Sequence, residues 1–286
     1  MSMMSAPKLP GTKRSRYDVG ASEANPLAVA TSAADRQVLD MVADALAAKR
    51  LRLAFQPAVY AGSPEIPAFY EGFIRILDDM GRVIPARDFM EVSETRELGR
   101  EIDCAALQTG LLALQRNPGI RIAINMSARS IGYRKWTSTL RTALRENPGI
   151  GKGLILEISE ASAVLAPDVV IPFMKELKAE GILFCLDDFG DGFSSLSLLQ
   201  DFSFDLAKID GRFIRGVDAN ASQQAVVRAA VAISREFNMF PVAESVETVA
   251  EASFLRAAGL GALQGYLFGA PTVSPDFTAF HAARRG

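Results

Sequence analysis

Histidine and cysteine are scarce in this 286-residue chain. The one histidine, His281, lies beside the Arg-Arg-Gly ending, so a histidine-centred triad or a histidine-ligated zinc site has almost no material. Two cysteines, Cys104 and Cys185, are too few for a disulfide framework, and Cys185 falls in an apolar run where a small thiol packs as a hydrophobe. A reducing cytoplasm is the expected setting. No apolar run reaches the roughly 18 residues of a membrane span, and the N-terminal MSMMSAPKLPGTKRSR lacks the hydrophobic middle of a secretory signal. The chain is therefore expected to be soluble, with no membrane partner. Strong charge of one sign is also missing: the net charge is -2, without the basic face that a DNA or RNA polymer requires. A metal here would have to be held by oxygen atoms, which favours Mg²⁺ or Mn²⁺ over Ca²⁺.

With 49% hydrophobic and 22% charged residues, the composition is that of a globular protein with a sizeable core. Residues 1–35 are rich in Ser, Ala, Pro and Gly without sustained periodicity and read as a mobile tail; their basic cluster, Lys13, Arg14 and Arg16, reads as solvated or as a docking element. Residues 36–286 read as one barrel domain. There, β-rich runs alternate with helix-length amphipathic stretches, the βα pattern of a parallel sheet. The strands are expected over 52–59, 68–76, 120–126, 153–159, 182–187, 204–209, 239–245 and 262–269, the strand number of a TIM-like (β/α)8 barrel. The connection YAGSPEIP over 60–67 is too short for a crossover helix, which needs about a dozen residues, so the first strand is expected antiparallel to the second. An open doubly wound sheet competes, but its Gly-rich phosphate turn is missing. In SQQAVVRAAVAISREF, Val226, Ala229, Ala230, Ile233 and Phe237 recur at helical spacing and are expected to face the core.

Glu71, Asn125, Glu157, Asp187, Asp188, Lys208, Glu244 and Gln264 fall at or within these strands, mostly near their C-terminal ends. An Asp or Asn just after a strand ordinarily caps the next helix, and Glu160 and Asp191 fit that role. Capping has no use for Glu within strands, whereas convergence on one barrel rim does. Acids so packed repel unless cations neutralise them. Two divalent ions would do so, with the Asp187–Asp188 pair supplying a bridge, and two-metal sites cleave phosphodiesters. Lys208, the one cation among them, either polarises water and stabilises phosphate charge or forms a plain salt bridge to a rim acid.

These motifs resemble the EAL-domain phosphodiesterases that hydrolyse the bacterial second messenger cyclic di-GMP. The resemblance runs over residues 36 to 281 through FQP (55–57), YEGFIRI (70–76), NMS (125–127), LEISE (156–160), LDDFGDGFSSL (186–196), KID (208–210), AESVE (243–247) and QGYLFG (264–269). It implies conversion of cyclic di-GMP to linear pGpG with two Mg²⁺ or Mn²⁺ ions. The implied metal ligands are Glu71, Asn125, Glu157, Asp187 and Asp188, with Glu244 near the metal-bound waters. Lys208 is implied to engage the nucleophilic water and Gln264 to assist it. Gln56, Arg75 and Asp188 are implied to contact the nucleotide, and Glu160 to steady the loop over 188–196, which links metal binding to dimerisation. A homodimer is implied too, and a regulatory protein partner is possible, since no sensor or synthase domain fits beside the barrel. Gly72, Phe73, Asp191, Phe193, Ser245 and Ala270 depart from the usual pattern without removing a ligand. A non-catalytic cyclic di-GMP receptor and a nucleotide-indifferent scaffold are the competing readings.

Overall fold

A computed structural model describes residues 26–190, 199–278 and 280. Of the tail expected over 1–35, residues 1–25 lie outside the described residues, and from Pro26 the chain is already helical. His281, Asp191 and Phe193 also lie outside them.

Among the described residues, nine strands form one sheet: β1 (Leu51–Tyr60), β2 (Ser63–Leu77), β3 (Val83–Ile84), β4 (Ile122–Asn125), β5 (Leu154–Ser159), β6 (Leu183–Phe189), β7 (Leu206–Ile209), β8 (Phe240–Ala243) and β9 (Ala262–Gln264). Their order is β1-β9-β8-β7-β6-β5-β4-β2-β3, and pairing of β1 with β2 closes eight of them into a barrel. As the short 60–67 connection requires, β1 runs antiparallel to β2, and it is antiparallel to β9 as well. The pairings from β2 through β4 to β9 are parallel. The short β3 is an outer addition paired to β2 alone. Closure leaves no sheet edge within the barrel to be capped or covered.

The described helices α1 (Pro26–Ala47), α2 (Ala86–Glu94), α3 (Glu97–Arg116), α4 (Arg134–Glu146), α5 (Glu160–Leu165), α6 (Pro167–Lys178), α7 (Ala221–Glu236) and α8 (Val249–Ala258) accompany the barrel. Local chemistry sets several of their ends. Thr248 and Glu251 form a capping box at the start of α8, and Gly259, at φ 94°, ends it in a left-handed turn. The face expected for α7 holds at Ala230, which is buried, and at Ile233 and Phe237, which pack partly buried against the core; it fails at Val226, 38% exposed, and at Ala229, while Val227, Val231 and Ser234 are buried in addition. Alanine-rich helices carry adjacent apolar stripes of similar strength, and packing chooses between them. The last strand is also shorter than 262–269, because the chain leaves the sheet after Gln264 into a turn closed by Phe268 N–H donating to Gly265 O.

Two apolar compartments follow from the strand alternation. Ile122, Ile124, Leu154, Leu156, Phe184, Leu186, Ala207 and Ile209 belong to the large core that includes buried helix residues such as Leu107, Leu111, Met174 and Val227. A separate cluster holds Ala58, Phe69, Ala123, Ile155, Cys185, Leu206, Val242 and Ala262. These side chains fill the lower part of the barrel interior, one layer below the site.

Candidate active site

On seven strands the residue two positions beyond the lower layer is polar: Glu71 follows Phe69, Asn125 follows Ala123, Glu157 follows Ile155, Asp187 follows Cys185, Lys208 follows Leu206, Glu244 follows Val242, and Gln264 follows Ala262. Because side chains repeat every second residue along a strand, each falls on the same face as the apolar residue before it. On antiparallel β1 the direction reverses, and Gln56 precedes Ala58. The result is one polar layer resting on an apolar plug.

Lys208 lies at the centre of that layer with its side chain 2% exposed. Its Nζ stands 2.9 Å from Glu71 Oε2, 3.0 Å from Asp187 Oδ1, 3.3 Å from Glu157 Oε2 and 3.7 Å from Glu244 Oε2. Glu71 is further held by Asn125 Nδ2 donating to Oε1 at 2.9 Å and Gln264 Nε2 donating to Oε2 at 2.9 Å. Gln264 also reaches Gln56 Oε1 at 3.4 Å, and Gln56 Nε2 donates to Gly269 O at 2.9 Å. Glu244 Oε1 accepts the Gly211 N–H at 2.9 Å.

Four acids around one ammonium leave an excess of negative charge, and they divide it unequally. Burial pushes Glu71 up, but the charge and hydrogen bonds of Lys208, helped by Gln264, hold it below the usual carboxylate range. Burial and then the negative charge of Glu71 push Glu157 well above that range despite Lys208. Burial raises Glu244 to about 7, with Lys208 opposing. Burial would lower Lys208, yet Asp187, Glu157, Glu71 and Glu244 together raise it well above its ordinary value. The charged form of Lys208 is thus favoured, and part of the acidic ring is short of positive charge.

Asp188 departs from strand geometry at φ 56°, in the left-handed region that Asp tolerates better than most residues. The β6–β7 register is interrupted between Leu186 and Phe189. That break allows the neighbouring Asp187 and Asp188 to line one groove of about 280 Å³ together with Asn125. A second cleft of about 320 Å³ is lined by Gln56, Glu71, Arg75, Glu244 and Gln264. Arg75 donates Nη1 to Ile74 O at 3.1 Å and stacks 5.6 Å from the centre of the Phe73 ring, so its guanidinium is carried by the cleft wall. Glu160 opens α5 and accepts the Gly190 N–H at 2.9 Å through Oε2.

The sequence-derived residues therefore occupy four places. Glu71, Asn125, Glu157, Asp187, Lys208, Glu244, Gln264 and Gln56 share one network; Arg75 stands on the wall of one cleft, Asp188 on the other; Glu160 grips the backbone just beyond β6. Among the cleft residues to which the sequence assigns no role are Arg215, Glu247 and Tyr266. Each lies outside the strands, where no period marks the side that faces the site. Asp103 had also been passed over. From α3 it accepts Ser127 N–H at 2.9 Å and Ser130 Oγ–H at 2.6 Å, steadying the turn that follows Asn125.

The donor set fits a hard divalent cation, being made of carboxylate and amide oxygens with no imidazole or thiolate. Among the described residues, no hydrogen-bond donor reaches the buried Glu157 Oε1 or Gln264 Oε1, a costly arrangement that a cation would relieve. Among the described residues, no three acidic side chains close on one point as a finished cage, and Lys208 holds the middle of the ring.

Comparison with known proteins agrees with this geometry. The family model described as "EAL domain" matches residues 39–271. The chain is 32% identical over 249 residues to the bifunctional diguanylate cyclase/cyclic di-GMP phosphodiesterase MucR of Pseudomonas aeruginosa, an alignment covering 85% of this chain and 36% of that protein. It spans about a third of the curated relatives it matches. Among solved structures, the MucR phosphodiesterase in complex with c-di-GMP superposes with a TM-score of 0.71 at 31% identity, covering 82% of this chain and 97% of that one. The EAL domain of FimX from the same organism, bound to c-di-GMP, shares the fold with a TM-score of 0.76 at 22% identity, covering 84% of this chain and 98% of that one. Among the described residues, no helix is long and apolar enough to cross a membrane.

Proposed function

The chain belongs to the EAL-domain family of cyclic di-GMP phosphodiesterases, and from that premise we propose that it is itself a metal-dependent hydrolase converting cyclic di-GMP to linear pGpG. The observation that carries this reading is the intact polar layer: Lys208 faces four carboxylates, and both Asn125 and Gln264 brace Glu71. Glu71, Asn125, Glu157, Asp187 and Asp188 would hold two ions, Mg²⁺ or Mn²⁺. When bound, these supply Lewis acidity to the phosphodiester and to water.

The remaining work falls to side chains of this chain. Lys208 Nζ, fixed among its acids, presents positive charge where negative charge gathers on the phosphoryl oxygens, so little reorganisation is needed in the transition state. Gln264 holds Glu71 with its amide N–H, and its own free Oε1 is an acceptor for water. Glu244 is tethered by Gly211 N–H through one oxygen, leaving the other beside Lys208. Arg75 supplies a charge-assisted contact to the dinucleotide and Gln56 a neutral one. Glu160 fixes Gly190 and so the backbone that follows Asp188. The same reading makes the protein a cytoplasmic homodimer open to a regulatory protein partner.

Incubation with cyclic di-GMP in Mg²⁺ and separately in Mn²⁺, with pGpG followed by chromatography, tests the reading. Product that requires metal and is lost in Glu71→Ala is the expected result. Nucleotide binding in EDTA without turnover in either metal would instead make the protein a receptor, and no binding at all would leave only a scaffold.

A further inference from the structure

Ser245 carries a backbone that suits glycine better than any residue with a side chain: its φ is 57°, in the left-handed region that a Cβ disfavours. Its neighbour in space removes one obstacle. A Cβ placed on Gly211 would stand 2.4 Å from Ser245 Oγ and 2.6 Å from Ser245 Cβ, distances no pair of side chains sustains. The serine therefore sits in space that Gly211 leaves open.

What the serine does with that space is visible at Arg215. Arg215 Nη2 donates to Ser245 Oγ at 3.1 Å, and Arg215 Nε lies 3.6 Å from Glu247 Oε1. Arg215, Ser245 and Glu247 line the same cleft as Arg75. The Arg215 side chain is 60% exposed, and a long exposed arginine ordinarily samples many rotamers. Two anchors on one guanidinium restrict it and leave N–H donors unused, since the group carries five. A restrained fork of donors on the wall of a cleft suits the acceptor atoms of a nucleotide, whether a phosphate oxygen or the O6 and N7 edge of guanine.

We propose that Arg215 is a second cationic contact for the substrate, and that Ser245, seated in the gap at Gly211, is the positioning residue that holds it on the cleft wall. This rests on reading the cleft as a cyclic di-GMP site. Ser245 thus exchanges backbone comfort for a side chain that pre-organises a binding group.

The test uses calorimetry of cyclic di-GMP binding in EDTA together with melting curves without nucleotide. Arg215→Ala is expected to weaken binding about 10-fold and Ser245→Ala about 3- to 10-fold. The double variant is expected to bind no more weakly than Arg215→Ala alone, because the serine acts only through the arginine. With cyclic di-AMP as a second ligand, an equal loss in Arg215→Ala points to a phosphate contact, and a loss confined to cyclic di-GMP points to the guanine edge; either supports the proposal. Unchanged affinity in Arg215→Ala overturns it, as do single-variant effects that multiply in the double. Gly211→Ala is expected to lower the melting temperature by roughly 2–4 °C or more in the wild-type background and by much less alongside Ser245→Gly; equal losses overturn the seat at Gly211. If the wild-type protein binds no guanylate at all, the proposed function and the nucleotide contact at Arg215 both fall, whereas the melting comparison still decides the Gly211–Ser245 pairing by itself.

Discussion

The lower and upper layers of the barrel interior are built from the same strands, yet they use opposite chemistry. Below, Phe69, Ile155, Cys185, Leu206 and Val242 are buried among apolar neighbours, and each large side chain gains about 1.5–3 kcal/mol from leaving water. Two residues further along, Glu71, Glu157, Asp187, Lys208 and Glu244 lose the same water and recover its free energy only through one another. Directly after two residues of the upper layer, Asp187 and Glu244, stand non-glycine residues in left-handed backbone, Asp188 and Ser245. Stability and chemistry are separated here by one strand repeat, so a rigid floor holds a strained, charge-crowded ceiling.

The sharpest way to break that comparison is to change neighbouring positions of β7 in turn. Lys208→Met, of similar volume, leaves the acids facing one another and is expected to cost about 3–5 kcal/mol, read by urea unfolding, with turnover abolished. A stable Lys208→Met protein would mean that the upper layer is not held by its ammonium. Leu206→Ala, one layer down, is expected to cost about 2–5 kcal/mol by opening a cavity, while activity per folded molecule stays within about threefold of wild type. Equal damage to activity from both substitutions would erase the division into layers.

A smaller effect is expected at Asp103, which supports the upper layer from α3. Burial raises its carboxyl from 3.8 to about 6, against the hydrogen bonds from Ser130 and Ser127. An acid whose folded value is raised binds its proton more tightly in the folded state. Its stabilising share is therefore complete below about pH 4 and is lost as pH rises through about 6, a change of up to about 3 kcal/mol. Unfolding measured from pH 4 to 7 is expected to lose that share of its slope in Asp103→Asn, and an unchanged slope would remove Asp103 from the pH response. The smallest effect is at Asp188. Asp188→Gly relieves the left-handed backbone and is expected to stabilise the fold by about 0.5 kcal/mol while depressing the proposed phosphodiesterase activity, which together would be the signature of strain kept for function. A loss of stability would show that the side chain of Asp188 contributes more than its backbone costs.

Much of this division was legible beforehand, for a local reason. Alternation of period two is a property of a strand alone, so Ile155 and Glu157, or Leu206 and Lys208, announce a shared face wherever the strand goes. The antiparallel β1 was legible too, since eight residues between strands cannot contain a crossover. The face of α7 was legible only in part, at Ala230, Ile233 and Phe237, because Val226 and Val227 offer nearly equal stripes and only the surface they meet selects one. Arg215 was not legible as a cleft residue either: it lies outside the strands, and its place on the cleft wall is fixed only where Ser245 and Glu247 reach it from another segment.

From the sequence by itself come the strands, their polar ends and the oxygen-only character of the site, because these depend on residue type and on spacing along one chain. Closure of the barrel decided the rest. By setting Lys208 within 4 Å of four carboxylates from four other segments, it set the opposite directions in which Glu71 and Glu157 are pushed from the ordinary carboxylate range. Coulomb energies vary with distance and dielectric, and neither is defined until the strands have met.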